Sequence, residues 1–355
     1  MNKFQRFVYR NTFNTNDRSE LYDNFRQYLL DGLDIETTLK KLILNYTRRG
    51  KKPNDPIALI LEECSHNIAE GMSLSQSLAY WIPEQELTVI EANAVVNKAQ
   101  EGFLRAITIA EGTGRIYAAI KSAVLNAFFT FSMAMSLLSI VCIMIIPILL
   151  QIIPLEKWEF SQKVIYYLYV IITGYSYIIV IFLAGGSYLI YWSFSRWTGN
   201  LRFHFDKYPP WSLYKNMYGA TFILSMNAML SSGINLEAAL NRIKESSNSD
   251  WFIERINATI NGLSEGQDNL GTALDVSGYE FPSEEAIIKM QSLFETRNKE
   301  GSLERFGHKW LEKTISNIET IGGRLKYFSM FFLAFSICAI VIILSGLIQK
   351  AFFNM

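Results

Sequence analysis

Three histidines and three cysteines are spread through 355 residues, and their scarcity removes several chemistries at once. His66, His204 and His308 have no second histidine or cysteine at ligand spacing, so neither a zinc site nor an imidazole-based catalytic pair is expected. Cys64, Cys142 and Cys338 make no disulfide framework and read as small apolar packing residues. No Gly-x-Ser-x-Gly nucleophile motif occurs. The densest glycine stretch, Gly112-Thr113-Gly114-Arg115, lacks the Lys-Ser or Lys-Thr that completes a phosphate-binding loop. The chain is therefore expected to be no enzyme, to hydrolyse no nucleotide itself and to hold no cofactor or metal. Net charge is missing too. With 33 Lys and Arg against 33 Asp and Glu, no broad field favours nucleic acid as a partner.

Charge is also missing locally, and here the absence is informative. Residues Ser122–Leu155, Val164–Ser195 and Tyr327–Gln349 contain no Asp, Glu, Lys or Arg. A bilayer core of ~30 Å needs about 20 apolar helical residues, so each window is long enough to span. An ion-coupled transporter usually carries ionisable groups near mid-membrane, and these windows offer none. Pro147 is placed to kink the first window, and Gly185-Gly186 to permit close helix contact in the second.

Basic residues cluster at the window ends as Arg115 with Lys121, Arg196 with Arg202, and Arg324 with Lys326. The link between the first two windows has only Lys157 and Lys163, and the tail only Lys350. The positive-inside rule then puts both large segments in the cytoplasm, with the N-terminus inside and the C-terminus outside. Met1-Asn2-Lys3-Phe4-Gln5-Arg6 leads into polar sequence with no apolar h-region, so no cleavable signal peptide is expected.

What is present is a duplication. Leu29-Leu30-Asp31-Gly32-Leu33-Asp34-Ile35-Glu36 is echoed by Leu230-Ser231-Ser232-Gly233-Ile234-Asn235-Leu236-Glu237. Glu70-Gly71 then matches Glu265-Gly266, Ile82-Pro83 matches Phe281-Pro282, and Glu101-Gly102-Phe103-Leu104 matches Glu300-Gly301-Ser302-Leu303. Apolar residues recur at helical spacing in each copy, as at Leu21, Phe25 and Tyr28 or Ile287, Met290 and Leu293. Gly32 and Gly233 suit a turn of positive φ, Asp34 and Asn235 suit helix N-caps, and Glu36 and Glu237 suit the first helical turn. Pro83 and Pro282 mark later helix starts, and the two late Glu-Gly pairs predict a further break. Each copy reads as a bundle of about six helices. The segment Phe203-His204-Phe205-Asp206-Lys207-Tyr208-Pro209-Pro210-Trp211 reads as an interfacial anchor and linker.

The fold expected is an all-α integral membrane protein with two homologous cytoplasmic helical bundles and three transmembrane helices. The order is module 1 over residues 1–121, a first span within 122–155, a periplasmic link at 156–163 and a second span within 164–195. The linker and module 2 follow over 196–326, then a third span at 327–349 and a periplasmic tail at 350–355.

This order, carried by the Leu29–Leu39 and Leu230–Leu240 echo and the paired Glu-Gly motifs, resembles the inner-membrane platform proteins of type IV pilus and type II secretion machines. The late motifs keep only Glu-Gly and a terminal Leu of a fuller Gly-Glu-x-Ser-Gly-x-Leu pattern, and the short N-terminal and periplasmic segments suggest the type IVb branch. The resemblance implies a bacterial inner-membrane protein that couples a cytoplasmic hexameric ATPase, for assembly or retraction, to the insertion of pilin or pseudopilin into a fibre. It implies a homo-oligomer in the lipid bilayer, in contact with other inner-membrane assembly proteins. An oligomeric channel or transporter gated by the cytoplasmic modules is the alternative. Glu101, Gly102, Glu300 and Gly301 are the candidate partner-binding residues, for the ATPase or for self-association.

Overall fold

The computed structural model describes residues 2–95, 98–294 and 299–353; among them every regular element is helical and no strand occurs. Three helical stretches, Ala99–Ile152, Ser176–Arg196 and Gly301–Gln349, are long and apolar enough to cross a membrane. Two compact units result, one of Met1–Tyr117 with Ser195–Ile315, the other of Ala118–Phe194 with Ser316–Met355.

The first unit contains both repeats. Module 1 runs α1 (Lys3–Thr12), α2 (Thr15–Leu30), α3 (Ile35–Tyr46), α4 (Pro56–Ala69), α5 (Leu74–Leu78), α6 (Glu84–Val95) and the start of α7 (Ala99–Ile140). After α8 (Ile146–Ile152), α9 (Phe160–Gly174) and α10 (Ser176–Arg196), module 2 repeats that order. It runs α11 (Asn200–Phe205), α12 (Trp211–Ser231), α13 (Leu236–Glu245), α14 (Asp250–Ser264), α15 (Leu270–Val276), α16 (Glu284–Phe294) and the start of α17 (Lys299–Phe353). Helices α2–α7 thus correspond to α12–α17.

The turns repeat atom for atom because the same residue types recur. After α2, Gly32 at φ 81° lets its own N–H reach Leu29 O at 3.1 Å and the Leu33 N–H reach Tyr28 O at 3.1 Å. After α12, Gly233 at φ 82° does the same toward Leu230 O at 3.0 Å, with Ile234 N–H on Met229 O at 3.1 Å. Both are Schellman caps, which need a left-handed residue that glycine adopts without steric cost. The next helix is capped at once: Asp34 accepts from the Thr37 N–H at 2.6 Å and Asn235 from the Ala238 N–H at 2.8 Å, satisfying donors that the helix leaves open.

Module 1 closes over Leu21, Tyr22, Phe25, Leu61 and Phe103, all fully buried. Phe25 and Phe103 stack with centroids 4.9 Å apart, fixing α7 against α2, and each such side chain contributes roughly 1.5–3 kcal/mol by leaving water. Cys64 belongs to this core; burial pushes its thiol up to about 12. Module 2 is packed by aromatics instead, with Trp251, Phe252 and Phe281 meeting edge to face.

In the second unit, α7 continues to Ile140, widens into a π-helical turn at Val141–Ile145 and resumes as α8. Pro147 has no N–H and would crowd the carbonyl four residues earlier, and the wider turn accommodates it. Cys142, Ile146, Trp158, Ile165, Ile340 and Leu347 form the local core. Gly322 of α17 lies against α7, where an added Cβ would sit 2.5 Å from Ala123 Cβ.

The 164–195 window is not one helix. Gly174 ends α9, Tyr175 adopts φ −122°, ψ 16°, and α10 starts anew with Ile178 and Ile179 N–H groups on Tyr175 O at 3.0 and 3.1 Å. Glycine's weak helix propensity allows the break, and only α10 is long enough to count as the span. Helix α10 is nearly uncovered by the rest of the chain, with Phe182 78% and Tyr191 75% exposed. Gly185 and Gly186 meet nothing within 4 Å, so the close helix contact expected there is not made within this chain.

Candidate partner-docking surfaces

The late Glu-Gly pairs do not mark the break expected of them. Glu101 and Gly102 lie inside the first turn of α7, and Gly301 lies inside α17. The side chain of Glu300 is outside the described residues. Gly102 is needed for contact: a Cβ there would lie 2.9 Å from Asn93 Cβ and 3.1 Å from Ile90 Cα, so α6 and α7 cross where only hydrogen fits. Glu101 is 43% exposed in its side chain and pairs loosely with Lys98 at 3.8 Å and Arg105 at 4.0 Å.

Arg105 leads to the seam between the modules. Its guanidinium donates to Ser231 O at 3.2 Å, and Asn93 Nδ2 donates to Ser232 Oγ at 2.8 Å. The C-terminal end of α12 is therefore held by α6 and α7. Farther along, a Cβ on Gly112 would meet Leu224 Cδ1 at 2.7 Å and Leu311 Cδ2 at 3.3 Å, and Arg115 makes a two-pronged pair with Glu312 at 2.7 and 2.9 Å. Module 1 grips module 2 through α6 and α7, which explains why two sequence repeats form one compact unit.

Each module also has a buried ionic cluster. In module 1, Arg18 bonds Glu86 at 2.9 and 3.0 Å, and the Tyr22 hydroxyl donates to Glu86 at 2.6 Å. Burial raises the Tyr22 hydroxyl well above its usual range, which keeps it a neutral donor. In module 2, Asp206 accepts from Arg202, from Arg255 at 2.7 Å and from the Trp251 indole at 3.1 Å. Arg255 also lies 4.0 Å from the Trp251 ring centroid. Burial pulls the Arg202, Arg255 and Lys215 cations down from their usual values, and Asp206 opposes it.

This cluster ties residues 203–211, read as an interfacial anchor and linker, to module 2. Arg202 and Asp206 are four apart on and just after α11, and the charges that complete them stand on α14. Trp197, Phe205 and Trp211 close over one another at 5.0–6.0 Å. Arg196 and Gly199 are tied to α14 by Asp250 at 2.9 Å and Glu254 at 3.1 Å. The segment is a strap on module 2. An Arg and Asp at i, i+4 beside paired aromatics was the available signal.

A further surface was not anticipated. Between α16 and α17 of module 2 lies an open groove with Phe306 and Trp310 on its floor and Ile288, Lys289, Lys309 and the Lys313–Glu285 pair along its sides. Among the described residues, no group of three or more His, Cys, Asp or Glu is placed to hold a metal ion.

Residues 222–345 match the family model described as Type II secretion system (T2SS), protein F. Over those residues the chain is similar to the type II secretion system F domain. The F domain begins in α12 and takes in most of module 2 and most of the last apolar helix, less than the almost full-length resemblance expected from the motifs. A search of curated proteins gives no match.

Proposed function

We propose that this chain is an inner-membrane platform protein of a type IV pilus or type II secretion machine. In this role it couples a cytoplasmic hexameric ATPase to the insertion of pilin or pseudopilin into a growing fibre. The observation that carries the reading is the F domain at residues 222–345 on a chain with three helical stretches fit to span a membrane. Helices α7 and α17 support the coupling role, because each runs without a break from a polar helical module into an apolar stretch. A continuous helix transmits displacement along its axis better than a jointed one, since every backbone hydrogen bond along it resists bending.

The ATPase is placed on the cytoplasmic modules, with Glu101 and Gly102, and Glu300 and Gly301, contributing to its surface or to self-association. Their duplication supports this, as does the exposure of Glu101. The test is a deletion complemented with tagged full-length chain. Loss of fibre assembly or secretion, with ATPase and pilin co-purifying on the complementing protein, is expected. Intact assembly in the deletion strain would sink the platform role, and ion or solute flux through the purified chain alone would point to a channel instead. Charge reversal at Glu101 and Glu300 is expected to weaken ATPase recruitment; recruitment and assembly both unchanged would remove these residues from the surface.

A further inference from the structure

The duplication gives each module the same two halves of a joint, and only one joint is made. In module 1, Val89 and Asn93 on α6 are buried at 0% and 1% exposure, and Asn93 with Arg105 on α7 holds Ser232 and Ser231 at the end of α12. The register that carries Pro83 onto Pro282 and Glu101 onto Glu300 carries Val89 onto Ile288 and Asn93 onto Ser292. Ile288 is 60% exposed and Ser292 is exposed. The register that carries Gly32 onto Gly233 carries Leu30 and Asp31 onto Ser231 and Ser232, and Leu30 is 57% exposed. The register that carries Glu101 onto Glu300 also carries Arg105 onto the exposed Glu304, so the second socket keeps the open α16 positions but not the arginine.

The chemistry of the two open halves is complementary. The socket is the α16/α17 groove, with apolar Ile288, Phe306 and Trp310 beside Lys289 and Lys309, which have no ion pair among the described residues. Trp310 is 8% exposed, and its indole nitrogen is buried with no hydrogen-bond partner. The plug, the C-terminal half of α2 with its turn, presents Leu30 together with the exposed Asp31 and with Asp23, which already pairs with Arg26 at 3.6 Å. Leucine suits the aromatic floor, and the carboxylates suit the lysines.

We infer that the α16/α17 groove of one copy binds the α2–α3 turn of a second copy, so that the joint made between modules within a chain is repeated between chains. Such a contact uses different surfaces on the two partners. It is heterologous, and it either closes into a ring or propagates. The inference goes beyond the platform role and does not depend on it.

The test uses full-length chain in nanodiscs or detergent, with Cys338→Ser removing the exposed thiol. One tagged copy carries Leu30→Cys, and a differently tagged copy carries Ile288→Cys. A disulfide-linked species containing both tags is expected when the two are co-expressed, and none when either is expressed alone. Lys289→Glu with Lys309→Glu should weaken self-association about tenfold, and adding Asp31→Lys should restore it. These charge variants alter exposed side chains, so folding is expected to survive and is checked by the unfolding midpoint. The inference is overturned if the two tags never join, if the disulfide forms only within a chain bearing both cysteines, or if charge reversal leaves self-association unchanged.

Discussion

At Asp206 a single carboxylate answers two buried guanidinium groups and an indole N–H, with only 2% of the residue exposed. Removing one partner of a buried pair leaves charge that neither water nor protein compensates, at a cost of about 3–5 kcal/mol. Asp206→Ala should lower the stability of the full-length protein by that amount in a denaturant titration. Arg196→Ala, which breaks an exposed pair with Asp250, should cost less than about 1 kcal/mol. Similar losses for the two variants would show that the cluster does not hold the strap. A second residue separates the repeats by pH. The Thr37 N–H, then its hydroxyl, hold the Asp34 carboxyl below its ordinary 3.8. Asp34 therefore contributes stability that is present above 3.8 and lost as pH falls through the folded-state value. Asp34→Asn should abolish that acid-dependent part, because an amide caps at any pH, as Asn235 does in the second copy. Unfolding curves of wild type and variant between about pH 5 and pH 2 should converge toward the acid end; a constant difference would mean the carboxylate does not act through its charge.

Among the elements, the clearest contrast lies between two glycines. Gly102→Ala places a methyl group 2.9 Å from Asn93 Cβ, forcing α6 from α7 at a cost of about 1–3 kcal/mol. Gly186→Ala meets nothing within 4 Å and should be neutral or slightly stabilising, since alanine favours helix by about 1 kcal/mol. Thermal unfolding midpoints of the two variants should move in opposite directions or differ clearly; equal shifts would refute the tight crossing. The same pair shows what the sequence could and could not disclose. Gly32 and Gly233 were legible as turns because a local φ requires them, and the caps at Asp34 and Asn235 followed from the residues beside them. Gly102 was misread as a break because its purpose depends on Asn93 and Ile90, on another helix. The Tyr175 break was hidden for a different reason: composition there is set by an apolar surrounding and stays uniform across a helix end. Arg202 could be paired with Asp206 from its i, i+4 spacing, but Trp251 and Arg255 lie on α14, and spacing along the chain carries no mark of that encounter.

At the scale of the whole chain, orientation turns on which basic residues are free to act. Among the residues flanking the apolar stretches, Arg202 is buried against Asp206, Arg115 is paired with Glu312 and Arg196 with Asp250. These three are paired in the folded protein, which leaves Lys121, Arg324 and Lys326 exposed as the charges on which the proposed cytoplasmic placement of the module-side ends of α7 and α17 would rest. An odd number of spans puts the two termini on opposite faces. Green fluorescent protein should therefore fluoresce at the N-terminus, while alkaline phosphatase should be active only when fused after Ile153 or at the C-terminus. The break at Tyr175 sharpens the test: if α9 crossed separately from α10, a phosphatase at the C-terminus would fall silent. Replacing Lys121, Arg324 and Lys326 by glutamine should make a fraction of the molecules insert with the opposite polarity, whereas glutamine at Arg115, Arg196 and Arg202 should disturb stability more than topology. Unchanged polarity after the first replacement would shift the decision to the bulk of the folded modules, which cross a membrane poorly whatever their charge.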